Sequence, residues 1–140
     1  RMSAHDRENL LGILEQKKEW LTKMRDVTRQ FKVLLDNDEV EEFADGLRQR
    51  EGIISKIDAF TKMERQMSVD EDEQVETLKQ QVRDIIRDIL RIDGQNADLA
   101  KKKIDQYRAQ IRSLNQQKKG IGQYAQMYRK SGAVYVDEKK

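Results

Sequence analysis

Between Leu10 and Leu35 the apolar residues recur on three adjacent heptad positions. Leu10, Ile13, Leu14, Trp20, Leu21, Met24, Val27, Phe31, Leu34 and Leu35 fill ten of the twelve sites so defined, and only Lys17 and Thr28 interrupt them. A two-stranded coiled-coil seam needs two positions in seven, so a stripe this wide belongs to a helix that meets at least two neighbours. The spacing predicts a first helix over residues 6–35. Asp36-Asn37-Asp38 ends it, and Asp38 followed by Glu41 reads as an N-cap with its capping-box partner. A second helix over 39–67 carries Val40, Phe43, Ala44, Leu47, Ile53, Ile54, Ile57, Phe60, Met63 and Met67. Gly46 and Gly52 lie inside it; each costs roughly 1 kcal/mol against alanine in a helix interior and makes room for a neighbouring helix.

The third helix is expected over 70–130. Ser68 with Glu71, or Asp70 with Glu73, supplies its cap, and the acidic run 70–73 suits a helix N-terminus. Val75, Leu78, Val82, Ile85, Ile89 and Ile92 follow at strict spacings of three and four, and Ile86 and Leu90 widen the stripe. Spacings of four through Ile92, Asn96, Ala100 and Ile104 carry the rod past Gly94. The stripe then continues through Tyr107, Ile111, Leu114, Ile121, Ala125 and Tyr128, and residues 131–140 read as a flexible tail. The expected fold is all-α: one helical domain over 1–140, an elongated antiparallel three-helix bundle of coiled-coil type whose long third helix extends to the C-terminus. Helices one, two and the first half of three satisfy one another as an up-down-up bundle. The remainder of the third stripe then requires a folded-back segment, a second copy of the chain in a homodimer, or a client.

Composition supports rods with a narrow core. There is no proline, and charged residues (39%) outnumber apolar ones (36%). Cysteine is absent, which removes disulfides, a thiol nucleophile and thiolate metal sites. No apolar run approaches the ~18 residues of a membrane span, so a cytoplasmic protein without membrane insertion is expected. Charge is uneven. Residues 1–69 sum to −1 and 70–93 to −4, whereas 94–140, with 11 basic and 4 acidic groups, sum to +7. That basic end fits an acidic partner surface.

Candidate chemistry is sparse. His5 is the single histidine, too few for a histidine-based metal site, and the many carboxylates fall on polar helix faces rather than in a cleft. Gly120-Ile-Gly122-Gln-Tyr-Ala125 matches a loose dinucleotide fingerprint but lacks the preceding strand the fold requires. Asp70-Glu-Asp72 lacks the glycine of a calcium loop, with Val75 in its place. Lys101–Lys103, Arg108, Arg112, Lys118, Lys119, Arg129 and Lys130 interleave with Tyr107, Tyr124 and Tyr128, but no nucleic-acid motif accompanies them. No enzyme, cofactor, metal or nucleic-acid partner is therefore expected. The aromatic residues are more telling. All four tyrosines lie at or beyond Tyr107, while the three phenylalanines and the tryptophan lie within the first 60 residues. Phenylalanine suits a dry core and tyrosine an interface, so the chain divides into a core-forming part and a contact-making part.

Three stretches resemble a known family. Leu47-Arg-Gln-Arg50-Glu-Gly-Ile53-Ile54-Ser-Lys-Ile57-Asp58, Ile89-Leu90-Arg-Ile92-Asp93-Gly-Gln-Asn96 and the ending Tyr128 to Lys140 are similar to the second helix, third helix and tail of the FlgN/FliT-type flagellar export chaperones. The resemblance implies a cytoplasmic chaperone of flagellar type III secretion. Such a protein binds late structural subunits (hook–filament junction or filament cap proteins), prevents their premature assembly and escorts them to the export machinery. It also implies client contact through the C-terminal helical region, here Ile104, Tyr107, Ile111, Leu114, Ile121, Tyr124 and Tyr128. An amphipathic helix of the secreted subunit would lie in the groove these residues form. The alternative is a coiled-coil scaffold that dimerises through the same stripe and transports nothing.

Overall fold

The computed structural model describes residues 3–67 and 72–119, with side chains as far as Gln116. Three helices, α1 (Ala4–Asp36), α2 (Val40–Arg65) and α3 (Glu73–Lys119), account for the regular structure, and no strand occurs among the described residues. The fold is all-α, as the spacing predicts, and α3 runs through Gly94 without a break. The chain divides into two units, Arg1–Ala97 and Asp98–Lys140. The bundle is built within the first.

The helix ends show local chemistry at work. Ser3 caps α1, its hydroxyl accepting from the Asp6 N–H at 3.1 Å, three residues before the stripe would suggest a start. At the other end Asp38 is not the N-cap of α2. It takes φ 56° in the left-handed region. The Asp38 N–H donates to Leu35 O at 3.2 Å and the Glu39 N–H to Leu34 O at 2.9 Å. These are the two bonds of a Schellman motif with an aspartate at the site glycine usually takes, so Asp38 closes α1 instead of opening α2. Glu39 becomes the N-cap residue, without a side-chain cap. The caps expected for α3 at Ser68 and Asp70 lie outside the described residues. Asp72 bonds the first turn of that helix, its Oδ1 accepting from the Val75 N–H at 3.0 Å. Its Oδ2 accepts from Arg7 Nε, which ties the start of α3 to the start of α1. The Arg7 bond, then the Val75 N–H, hold the Asp72 carboxyl below its ordinary range, against a smaller opposing effect of burial.

Side-chain pairs give the helix directions. Lys17 reaches Glu64 at 3.0 Å, and the Phe31 and Phe43 rings meet edge to face at 5.1 Å, so α2 returns antiparallel to α1. Lys18 donates to Gln81 at 2.9 Å, Arg29 to Asp88 at 3.2 Å and Asn96 Nδ2 to Thr28 O at 2.9 Å, so α3 climbs parallel to α1. Arg50 holds Asp93 in a two-pronged pair at 2.5 and 2.7 Å, which fixes α2 against α3. The topology is up-down-up.

The stripe of α1 reaches both neighbours. Leu10 and Leu14 pack with Val75 and Leu78 at one end. Leu21, Met24, Val27 and Phe31 pack with Ile53, Val82, Ile85 and Ile89 along the rest. Its two interruptions are both accommodated. Lys17 pairs with Glu64, and Thr28 is wholly buried with its hydroxyl donating to Met24 O at 2.6 Å. The second helix departs from expectation. Of its apolar set only Ile53 is buried, while Val40, Leu47 and Met63 are exposed. At about 100° per residue, its apolar positions drift from one side of the helix at Val40 to nearly the opposite side at Met63. A helix with two neighbours cannot bury both ends of such a drift. Ile86 and Leu90 do not widen the buried face of α3 either; both are exposed.

Gly46 and Gly52 part company. A Cβ on Gly46 would stand 2.6 Å from Phe31 Cε1, so this glycine admits a buried ring of α1. A Cβ on Gly52 would meet nothing within 4 Å.

Candidate partner-binding surface

The apolar positions of α3 recur at spacings of three and four on either side of Ala97. Val75, Leu78, Val82, Ile85, Ile89 and Ile92 are buried on one side of the helix, and Asn96, still on that side, is the last of them. Taking about 100° per residue, Ile104, Tyr107, Ile111 and Leu114 fall within an arc of about 80° on one side of the helix. The α-helix therefore brings these four expected site residues together on one face. Ile121, Tyr124 and Tyr128 lie outside the described residues.

Exposure changes along this face. Ile104, Tyr107 and Leu114 are 47%, 43% and 51% exposed, with Ile111 half-buried. Exposed Lys101, Arg108 and Arg112 border one edge of the arc, about 40–80° from Ile104, and half-buried Lys103 borders the other. Apolar side chains between basic edges can accept an amphipathic helix with acidic flanks: the aliphatic groups lose water contact, and the cations meet carboxylates.

Among the described residues no group of three or more His, Cys, Asp or Glu side chains gathers to hold a metal ion. His5 lies exposed, its Nε2 3.3 Å from Asn9 Nδ2. Among the described residues no helix is long and apolar enough to cross a membrane.

One polar cluster leaves no mark in the spacing of the chain because it spans two helices. Asp88 of α3 accepts from Arg91 one turn along and from Arg29 of α1, with Arg25 of α1 at 3.5 Å. The Arg91 hydrogen bond chiefly holds the Asp88 carboxyl below its ordinary range, burial opposing it and the charges of Arg91, Arg29 and Arg25 assisting. The cluster helps lock the bundle and leaves the distal face of α3 untouched.

A family model described as "Flagellar protein FliT" matches residues 18–126, from Lys18 in α1 through all of α2 and α3. No curated protein and no solved structure matches the chain.

Proposed function

Because this chain belongs to the FliT family of flagellar proteins, we propose that it is a cytoplasmic export chaperone that holds a late flagellar structural subunit before type III secretion. The family's general role is that of a flagellum-associated chaperone rather than an enzyme. The finer reading is that the client is a hook–filament junction or filament cap protein, kept from assembling prematurely and then handed to the export machinery. Its amphipathic helix lies against Ile104, Tyr107, Ile111 and Leu114, with Ile121, Tyr124 and Tyr128 further along the same contact. The observation supporting this is the exposure of aliphatic side chains on one basic-edged face of α3. No cofactor enters: capture needs only burial of apolar surface and matched charge. Release before assembly requires the contact to be modest in area.

Calorimetric titration with a filament cap protein tests it. Ile104→Asp with Leu114→Asp removes two apolar contacts worth about 1.5–3 kcal/mol each, so affinity should fall about 100-fold or more while the melting temperature holds. Unchanged affinity defeats the assignment of the surface. Sedimentation addresses the scaffold alternative: a tight dimer abolished by the same pair of substitutions would give the stripe to a second copy of the chain.

A further inference from the structure

A second concave surface lies within the bundle, between α1 and α2. Trp20, Lys23 and Val27 line one wall and Gly52, Ile53 and Lys56 the other of an open depression of about 590 Å³. Its floor belongs to the core, since Val27 and Ile53 are buried. Its gap lies at Gly52. Gly46 has a reason inside the fold, the Phe31 ring, but Gly52 leaves space that no side chain of the described residues enters. A glycine in mid-helix weakens α2. What the missing side chain leaves, among the described residues, is an open stretch of α2 beside an apolar floor.

The rim selects the occupant. Lys23 Nζ stands 4.3 Å above the Trp20 ring, and Lys56 forms no ion pair among the described residues. Asp26 is the sole acidic residue lining the groove, so the rim carries a net positive charge. We propose that this α1–α2 groove docks an acidic amphipathic helix of a protein partner, which seats one large apolar side chain over Gly52 and places carboxylates against Lys23 and Lys56. The groove runs between two antiparallel helices, which suits a third helix laid along it. This contact is separate from the client surface proposed at Ile104–Tyr128 and does not rest on it.

Trp20, the single tryptophan, reports occupancy of the groove directly. Phage-displayed helical peptides lacking tryptophan are selected on the full chain, and those that also bind Gly52→Leu are subtracted. The isobutyl group introduced by that substitution would fill the gap. Surviving peptides should pair one large apolar residue with Asp or Glu a turn away and shift Trp20 emission to the blue saturably. They should lose at least tenfold in affinity to Lys56→Glu and to Gly52→Ala, and be unaffected by Ile104→Asp. Circular dichroism melting checks each variant; should Gly52→Leu fail to fold, Gly52→Ala serves for the subtraction. The proposal is overturned if no peptide survives subtraction, if survivors carry basic flanks, or if Trp20 emission does not respond. It is equally overturned if sedimentation shows a dimer that Gly52→Leu dissociates, for then a second copy fills the groove. Loss of survivor binding in Ile104→Asp with retention in Lys56→Glu would sink this groove and leave the distal surface standing.

Discussion

Two stretches of the same helix carry the same apolar pattern to different ends. From Val75 to Ile92 the face of α3 is sealed against α1 and α2, with exposures of 0–7%. From Ile104 to Leu114 the apolar residues again recur at spacings of three and four, yet three of the four are 43–51% exposed. Periodicity records which side of a helix seeks cover, not whether the fold supplies it. The difference is what the proposed partner contact rests on, because half-exposed apolar side chains in a regular row can still gain from burial, whereas sealed ones have already contributed theirs to folding.

The sharpest way to break this comparison is truncation on both stretches. Ile89→Ala should lower unfolding free energy by about 2–5 kcal/mol, and Leu14→Ala, on the facing helix, by a similar amount. Ile104→Ala should stay within about 0.5 kcal/mol. Urea titration reads both, and a large loss at Ile104 would place it in a core. A second contrast uses glycines. Gly46→Ala drives a methyl group into the buried Phe31 ring, so overpacking outweighs the helix gain and should cost about 1–2 kcal/mol net. Gly94→Ala meets nothing within 4 Å and should stabilise by about 0.5–1 kcal/mol. Thermal melting distinguishes the signs.

Asn96 marks the end of the sealed stretch, 8% exposed and donating to Thr28 O. Asn96→Ala should cost about 1 kcal/mol by denaturant titration, the net worth of one such bond. The smallest effect is that of pH. The carboxyls of Asp72 and Asp88 are held below their ordinary range in the fold. Their contributions are therefore fully present above the unfolded pKa of about 3.9 and are lost as pH falls through the folded values. The melting temperature should decline below about pH 4, and Asp88→Asn should flatten part of that decline. An unaltered acid slope in this variant would show that the arginines around Asp88 contribute little.

Much of this architecture is legible in the chain. The broad stripe of α1 requires two neighbours, and its two interruptions are met by a neighbour (Lys17 with Glu64) or by local hydrogen bonding (Thr28 with Met24 O). The rod through Gly94 follows from spacings of four, since one glycine costs too little to end a helix whose stripe continues across it. The same spacing groups Ile104, Tyr107, Ile111 and Leu114 on one face. Asp38 shows where such reasoning stops. A short acidic residue between helices serves equally well as a cap for the next or as the left-handed stop of the last, and only the Leu34 and Leu35 carbonyls decide.

Three helices, their order, the short connection between the first two and the family can all be read from the residues alone, because a 3.6-residue period and turn chemistry are local properties. Packing in three dimensions settled the rest: that Ile53 alone of the α2 set is buried, that Gly46 admits a ring while a Cβ on Gly52 would meet nothing within 4 Å, and that Asp88 gathers arginines from two helices. Period fixes the direction of a side chain; cover depends on how near another helix passes, which no single helix encodes.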